Sequence, residues 1–345
     1  MSDQFLSADE ANRLGALLDE SKHIIVTCHV SPDGDAMGAV LAFSHYLWRK
    51  GKDAVPVVPN IFPDFLKWMP GADQVRVYEK HEAEVEPVVA AADLVVCLDF
   101  NSPDRLLGLK KPVLDLEVPK IMIDHHLDPV DFCEWSVSRQ DMSSTCELLF
   151  RILVQLDGLE PMSYEEAVCL YTGMMTDTGC FSYNSNRSDI YYIVGQLLTK
   201  GIDKDKIYRN VFYSYSAERF RLLGYMLYVK LENFPEYNAS LMTLTRKEQK
   251  MFSHKKGDTE GFVNIPLQIQ GARLSVFLRE DTERPVIRVS LRSVDDFPCN
   301  AMAAEFFNGG GHLNAAGGEL SCGMENAVEL VCKALKKYAP LLKGK

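Results

Sequence analysis

A chain of 345 residues is long enough for about two domains, and its 47% hydrophobic and 25% charged content is ordinary for a soluble globular protein. No apolar run is long enough to span a bilayer, and a formal net charge of −11 argues against broad, sequence-independent binding to long nucleic acid, which needs a basic surface. A short anionic substrate stays open, because carboxylates that bind metal count as negative in that sum and bound cations reverse the local field.

The start, Met1-Ser-Asp-Gln, lacks the basic residues and apolar stretch of a secretory signal. The nine cysteines include no Cys-x-x-Cys pair, and Cys97, Cys169 and Cys332 sit in apolar surroundings. They read as small buried hydrophobes of a reducing compartment, which places the protein in the cytoplasm.

In chain order, Ser7 and Glu10 form a capping box that opens a helix through Leu14, Leu17 and Leu18. His23–Thr27 reads as a buried strand, and the loop Cys28-His-Val-Ser-Pro-Asp-Gly-Asp35 follows it. A helix over Ala36–Lys50 ends at Gly51. Strand signals come at Val55–Val58 and Val75–Tyr78, and Glu82–Ala92 is helical. Leu94–Leu98 is a buried strand ending at Asp99. Lys120–Ile123 is another, ending at Asp124-His125-His126. Strands alternating with helices predict right-handed crossovers and a mostly parallel sheet.

From Ser143 the pattern is mainly helical, with helices over about Thr145–Leu156, Tyr164–Met175 (delivering Asp177) and Asp189–Lys200, continuing to about Val229. Strand signals return at Ala239–Thr245, Ala272–Leu278 and Val286–Leu291. A glycine-rich turn, Gly309–His312, follows a short helix, and Ala327–Tyr338 is the last helix. The expected architecture is an N-terminal α/β domain with a mostly parallel sheet flanked by helices and a smaller mixed α/β C-terminal domain, with the active-site cleft between them. The boundaries drawn are 1–195, a helical connector 196–229, and 230–345. The helix-rich connector would support a homodimer.

Four stretches carry metal-type side chains. His29-x-x-x-Asp33-Gly-Asp35 puts one imidazole and two carboxylates directly after a strand, although Pro-Asp-Gly also fits a plain surface turn. Asp99 closes a buried strand, as a cap or loop residue also would. Asp124-His125-His126 does the same with two adjacent histidines. Asp177 lies among glycines and small polar residues at a helix end, which also fits an ordinary helix stop. Strand ends of a parallel sheet are where such folds gather a ligand site. His29 and His125 with Asp33, Asp35, Asp99 and Asp177 exceed the needs of one ion and suit two, about 3.5–4 Å apart. An oxygen-rich set with some imidazole and no thiolate favours Mn²⁺, then Mg²⁺, over structural zinc. Cys28 gets no ligand role.

Two further stretches suggest anion binding. Gly309-Gly-Gly-His312-Leu-Asn-Ala-Ala-Gly-Gly318 could converge backbone amides, including those of Gly310 and Gly311, on a phosphate, with His312 donating to the same anion; the alternative is a flexible turn. Period-two alternation puts Arg288, Ser290 and Arg292 on one strand face, able to grip phosphate or stack a base. Arg292 is preferred, being nearer the strand end that leads to the glycine stretch.

Taken together, these motifs resemble the DHH phosphoesterases. The match rests on Asp124-His125-His126, the upstream His29-x-x-x-Asp33-x-Asp35, Asp99 and Asp177 in the family's order. Gly309-Gly-Gly-His312 is similar to the signature of the DHH-associated C-terminal domain. The size and this signature, with Gly257–Asn264 and Val289–Ser293, resemble the nano-RNase branch of oligoribonucleases and 3′-phosphoadenosine 5′-phosphate (pAp) phosphatases. The resemblance implies that His29, Asp33 and Asp99 bind one metal. It implies that Asp35, Asp99, His125 and Asp177 bind the other, with Asp99 bridging. By the same likeness His126 contacts the scissile phosphate, Asp124 orients a histidine, Arg105 lies on the substrate side of the first metal, and Ser143–Thr145 belong to the cleft rim.

The expected activity is two-metal hydrolysis of short single-stranded oligoribonucleotides to mononucleotides and of pAp to AMP. A phosphoanhydride hydrolase acting on polyphosphate or pyrophosphate would need the same metals without base recognition. A non-catalytic nucleotide sensor would be expected to have lost ligands.

Overall fold

Apolar runs punctuated by polar strand ends build the first of two units. In the computed structural model, which describes residues 5–213, 215–255 and 257–343, these units are Met1–Ser214 and Tyr215–Lys345. The first contains α1 (Ala8–Glu20), β1 (His23–Thr27), α2 (Gly34–Arg49), β2 (Asp53–Val58), β3 (Arg76–Val77), α3 (Glu82–Ala90), β4 (Leu94–Leu98), α4 (Lys110–Leu114), β5 (Lys120–Asp124) and β6 (Trp135–Ser138), then α5 (Thr145–Asp157), α6 (Tyr164–Asp177), α7 (Ser188–Leu198) and α8 (Lys204–Phe212).

All strand pairs in this unit are parallel, in the order β3-β2-β1-β4-β5-β6. Both faces of the sheet are covered. Ile24, Val26, Val96, Ile121 and Ile123 join the core made by α2, α5, α6 and α7. The intervening Ile25, Val95, Cys97 and Met122 join a second core with Val85 and Val89 of α3 and Val113 of α4. The strand order reverses between β1 and β4, so the loops after these two strands diverge and leave a crevice at their carboxyl ends. His29 follows β1, and Asp99 follows β4.

The close approach of α2 and α6 depends on glycine. A Cβ on Gly34 would stand 2.2 Å from Thr176 Oγ1, and one on Gly173 would stand 2.2 Å from Cys146 Sγ and 2.8 Å from Asp35 Oδ1. The missing side chains let the start of α2 meet the end of α6, bringing Asp35 toward Asp177.

The second unit holds α9 (Ala217–Tyr225), β7 (Glu232–Phe234), β8 (Ala239–Leu244), α10 (Arg246–Met251), β9 (Leu274–Glu280), β10 (Ile287–Ser293), α11 (Cys299–Phe306), β11 (Gly310–His312), β12 (Ala315–Leu320) and α12 (Met324–Leu342). Residues 196–229 are thus divided, α8 packing in the core of the first unit and α9 in that of the second. The sheet is mixed, ordered β11-β12-β10-β9-β8-β7, with β8–β9 parallel and the other pairs antiparallel. Val276, Val289 and Leu291 face α11 and α12. Met242, Leu244 and Phe277, on the opposite face, pack against Leu222 of α9 and Phe262.

One expectation is corrected here. Gly309–His312 is not a turn; residues 310–312 form edge strand β11 of a hairpin with β12. The glycines serve close backbone packing. A Cβ on Gly309 would lie 1.8 Å from the Gly317 carbonyl, and one on Gly318 would lie 2.2 Å from that of Phe307. Strands β6, β7 and β12 were not expected. Among the described residues, no helix is long and apolar enough to cross a membrane.

Candidate metal centre

The carboxyl ends of β1, β4 and β5 and the last turn of α6 converge on one cluster. His29, Asp33 and Asp99 each offer a ligand atom within 4.8 Å of the others, and so do Asp35, His125 and Asp177. Asp99 joins the two groups. Its Oδ2 is 3.4 Å from His29 Nε2, and its Oδ1 is 3.7 Å from His125 Nε2. The Asp99 backbone lies in the left-handed region at φ +64°, which few residues other than glycine adopt. Such strain persists where the surroundings over-determine it, as they do at functional sites.

Each remaining member is held by identifiable contacts. Asp33 caps α2, its Oδ1 accepting from the Asp35 and Ala36 amides at 3.1 and 3.0 Å, while its Oδ2 faces His29 Nε2 at 3.8 Å. The Ser31 amide of the same loop donates to Asn60 Oδ1 at 2.6 Å. Asp35, buried, accepts from the amides of Thr145 (2.7 Å, Oδ2) and Cys146 (3.0 Å, Oδ1) at the start of α5. Its Oδ2 is 3.9 Å from His125 Nε2, and Asp177 Oδ2 is 3.6 Å from the same nitrogen.

The tautomers follow from the backbone. His29 Nδ1 lies 2.7 Å from the Val30 carbonyl and His125 Nδ1 lies 3.4 Å from that of Met142, so each Nδ1 carries the proton. In the neutral rings both Nε2 lone pairs then face carboxylate oxygens, acceptor against acceptor, which only a cation or an added proton can reconcile. The titration behaviour says the same. Burial, Asp99 and Asp177 push Asp35 well above the usual carboxylate range. Burial, together with Asp33 and Asp99, outweighs His125 and lifts Asp177 to about 7. Burial opposes a charge on His125, but Asp177, Asp99 and Asp35 raise it to about 9. Burial likewise works to raise Asp99, yet His29, His126 and His125 hold it well below the ordinary range. A cluster that retains protons because its negative charges crowd one another fits divalent cations, which would displace those protons.

His126 is positioned differently. Its Nδ1 donates to Asp124 Oδ1 at 2.7 Å, and its amide donates to Asp124 Oδ2 at 3.1 Å. Arg105, in the 3₁₀ segment Pro103–Leu109, accepts the Val30 amide on its carbonyl at 2.7 Å and adds positive potential at His29.

Ser143–Thr145 do not form a rim. All three are buried beneath the cluster, and Thr145 Oγ1 donates to Asp99 Oδ1 at 2.8 Å. Asn60 and Glu147 are contributors that motif reasoning passed over. Glu147 lies three residues after the cap Ser144, which is a recognisable helix-start signal. Its side chain holds Ser143 instead of closing a capping box, Oε2 accepting from the Ser143 amide at 2.8 Å and hydroxyl at 2.7 Å.

In the second unit, Arg292 and His312 both pair with Ala315 across β12, so they share one sheet face. Arg288 is committed elsewhere, to Asp281 and Glu319 at 2.8 Å each. Among the described residues no carboxylate pairs with Arg292, whose guanidinium donates to the Leu291 carbonyl at 2.9 Å. Gly310 and Gly311 are exposed on the edge strand.

Comparison with known proteins agrees with this geometry. Residues 23–174 match the model of the DHH family, N-terminal domain, and residues 249–339 match that of the DHHA1 domain. The chain is 30% identical to the bifunctional oligoribonuclease and PAP phosphatase NrnA of Thermus thermophilus over 315 residues, covering 91% of this chain and 89% of the relative. The crystal structure of an exopolyphosphatase-related protein from Bacteroides fragilis superposes with a TM-score of 0.94 at 48% identity, covering 99% of each chain. RecJ from Thermus thermophilus in complex with Mn²⁺ shares the fold, with a TM-score of 0.55 at 14% identity over 96% of this chain and 54% of RecJ.

Proposed function

The chain belongs to the DHH family and hydrolyses phosphoester bonds, and from that premise we propose that it is a two-metal oligoribonuclease and nucleotide phosphatase. It would release mononucleotides from short oligoribonucleotides and AMP from pAp. The observation that carries the metal reading is the pair of imidazole–carboxylate groups joined through Asp99. His29, Asp33 and Asp99 would hold one cation, and Asp35, Asp99, His125 and Asp177 the other. Their hard oxygen and imidazole donors suit Mn²⁺ or Mg²⁺. When bound, such cations acidify water and neutralise charge on a phosphate.

The chain's own residues supply the rest. Asp124 holds the Nδ1 side of His126, so in the protonated ring Nε2–H is the donor that meets a phosphate oxygen and stabilises the charge that develops there. Arg105 extends the positive potential beside the first group. On the second unit, Arg292 and His312 with the Gly310 and Gly311 amides are assigned to gripping a terminal nucleotide, Arg292 through the paired donors that suit phosphate. The name carried by the Thermus thermophilus relative supports the substrate class. The nine cysteines, all unpaired in disulfides, support a cytoplasmic setting.

A second reading, hydrolysis of phosphoanhydride bonds, is favoured by the description of the Bacteroides fragilis protein as exopolyphosphatase-related. Purified protein with Mn²⁺, offered an end-labelled RNA series from dimer upward alongside pAp and polyphosphate, separates the two. Release of mononucleotide from the dimer and of phosphate from pAp is expected. Faster turnover of polyphosphate would favour the second reading, and tight nucleotide binding without product would mark a sensor.

A further inference from the structure

We infer that Thr145 is a positioning residue for the shared carboxylate: its hydroxyl fixes the rotamer of Asp99 so that one carboxylate oxygen serves each ligand group, which links the occupancy of the two. The inference rests on the metal reading above and adds to it the residue that makes the sharing work.

Asp99 divides its oxygens, Oδ2 lying 3.4 Å from His29 Nε2 and Oδ1 lying 3.7 Å from His125 Nε2. Its backbone is already fixed, the amide donating to the Ile123 carbonyl at 3.1 Å. The remaining freedom is rotation of the carboxylate, which could otherwise turn both oxygens toward one group. Thr145 Oγ1 removes that freedom by donating to Oδ1 at 2.8 Å. The Thr145 amide donates at 2.7 Å to Asp35 Oδ2, the oxygen nearest His125. One residue therefore ties together two carboxylates of like charge, and it does so with neutral donors. A lysine or arginine in that place would cancel the negative charge that a cation needs, whereas a hydroxyl and an amide leave it intact.

The donor is itself well anchored. Thr145 is fully buried, and branching at Cβ restricts its χ1. Ser144 caps α5 by accepting from the Glu147 amide at 3.0 Å. Glu147, also fully buried, holds the Ser143 amide and hydroxyl through Oε2 while its Oε1 takes Arg151 at 2.6 Å and Arg187.

The test compares wild type, Thr145→Val, which keeps the shape and removes the donor, and Thr145→Ser, which keeps the donor. Mn²⁺ binding is followed by calorimetry and by electron paramagnetic resonance, which distinguishes isolated from magnetically coupled Mn²⁺. Wild type is expected to bind two Mn²⁺ with a coupled spectrum. Thr145→Val should bind the first ion as wild type does and the second at least ~10-fold more weakly, the scale of loss usual for an outer-shell contact, with the spectrum of an isolated ion. Thr145→Ser should behave as wild type. If the valine variant melts early without metal, Thr145→Ala carries the same comparison. Coupled binding of two ions at wild-type affinity by the donor-less variant, or equal losses in the serine variant, would overturn the inference alone. A wild type that binds fewer than two Mn²⁺ would instead overturn the metal reading on which it stands.

Discussion

His126 Nδ1 donates to Asp124 Oδ1 at 2.7 Å, two residues back at the same strand end. The neighbouring His125 turns its Nδ1 to the Met142 carbonyl instead, at 3.4 Å, and the two rings stand 69° apart. Adjacent histidines are thereby given different tasks, His125 facing the carboxylates of the cluster and His126 held by a fully buried carboxylate of its own. Asp124→Asn should disturb the tautomer and orientation of His126 while sparing the cluster. A fall in kcat of about 10²–10⁴, by analogy with other Asp–His pairs, is expected with Mn²⁺ affinity unchanged. Calorimetry beside steady-state kinetics checks this, and a matching loss of Mn²⁺ affinity would place Asp124 among the ligands.

Glu147 should matter to stability as a buried charge shared by Arg151 and Arg187. Glu147→Ala takes one carboxylate from Arg151 and Arg187, which both keep Asp189, and strands the Ser143 amide, so a loss of about 1–3 kcal/mol is expected. Urea denaturation of the metal-free protein measures it. A loss under about 1 kcal/mol would mean that the arginines regain water at little cost.

Two neighbouring glycines should respond oppositely to alanine. Gly309→Ala drives a Cβ to 1.8 Å from the Gly317 carbonyl, whereas a Cβ on Gly310 meets nothing within 4 Å. Gly309→Ala should cost at least ~2 kcal/mol by overpacking, and Gly310→Ala should stay within about 0.5 kcal/mol of wild type. Thermal melts of the two variants decide it. Equal effects would show that the hairpin does not close as described.

Glu248 provides a pH test in the second unit. Burial works against its charge, but the Thr245 amide and hydroxyl, Tyr225 and Lys230 lower its pKa from 4.5 to about 2. A depressed carboxylate stabilises the fold above its unfolded pKa, and that stability is lost as pH falls through 4.5 toward 2. Glu248→Gln should therefore be less stable than wild type by about 1–2 kcal/mol at pH 7, a figure discounted for solvent screening. The gap should close as pH falls from 5 to 2.5. A gap that stays constant across this range would contradict the assigned contacts.

The parallel sheet and the cluster were legible because apolar runs such as Leu94–Leu98 and Lys120–Ile123 end abruptly in Asp99 and Asp124-His125-His126. That pattern survives without knowledge of tertiary contacts. Strand β6 was not legible: Trp135–Ser138 is four residues long, with only two periods of alternation. Gly309–His312 was misread because local glycine chemistry signals a turn, while the deciding contact, Gly309 against Gly317, is made only in the folded hairpin. Ser143–Thr145 were assigned to a cleft rim by family likeness. The role of Thr145 comes from Asp35 and Asp99, more than forty positions away in the chain.

The most direct test measures Mn²⁺ stoichiometry and dinucleotide hydrolysis on one sample of wild type and of Asp99→Ala. Wild type should bind two Mn²⁺ per chain, lose hydrolysis on chelation and regain it when Mn²⁺ is restored. Asp99→Ala should neither bind the pair nor turn over substrate. Undiminished hydrolysis in chelator, or near-normal activity without Asp99, would contradict a shared two-metal centre.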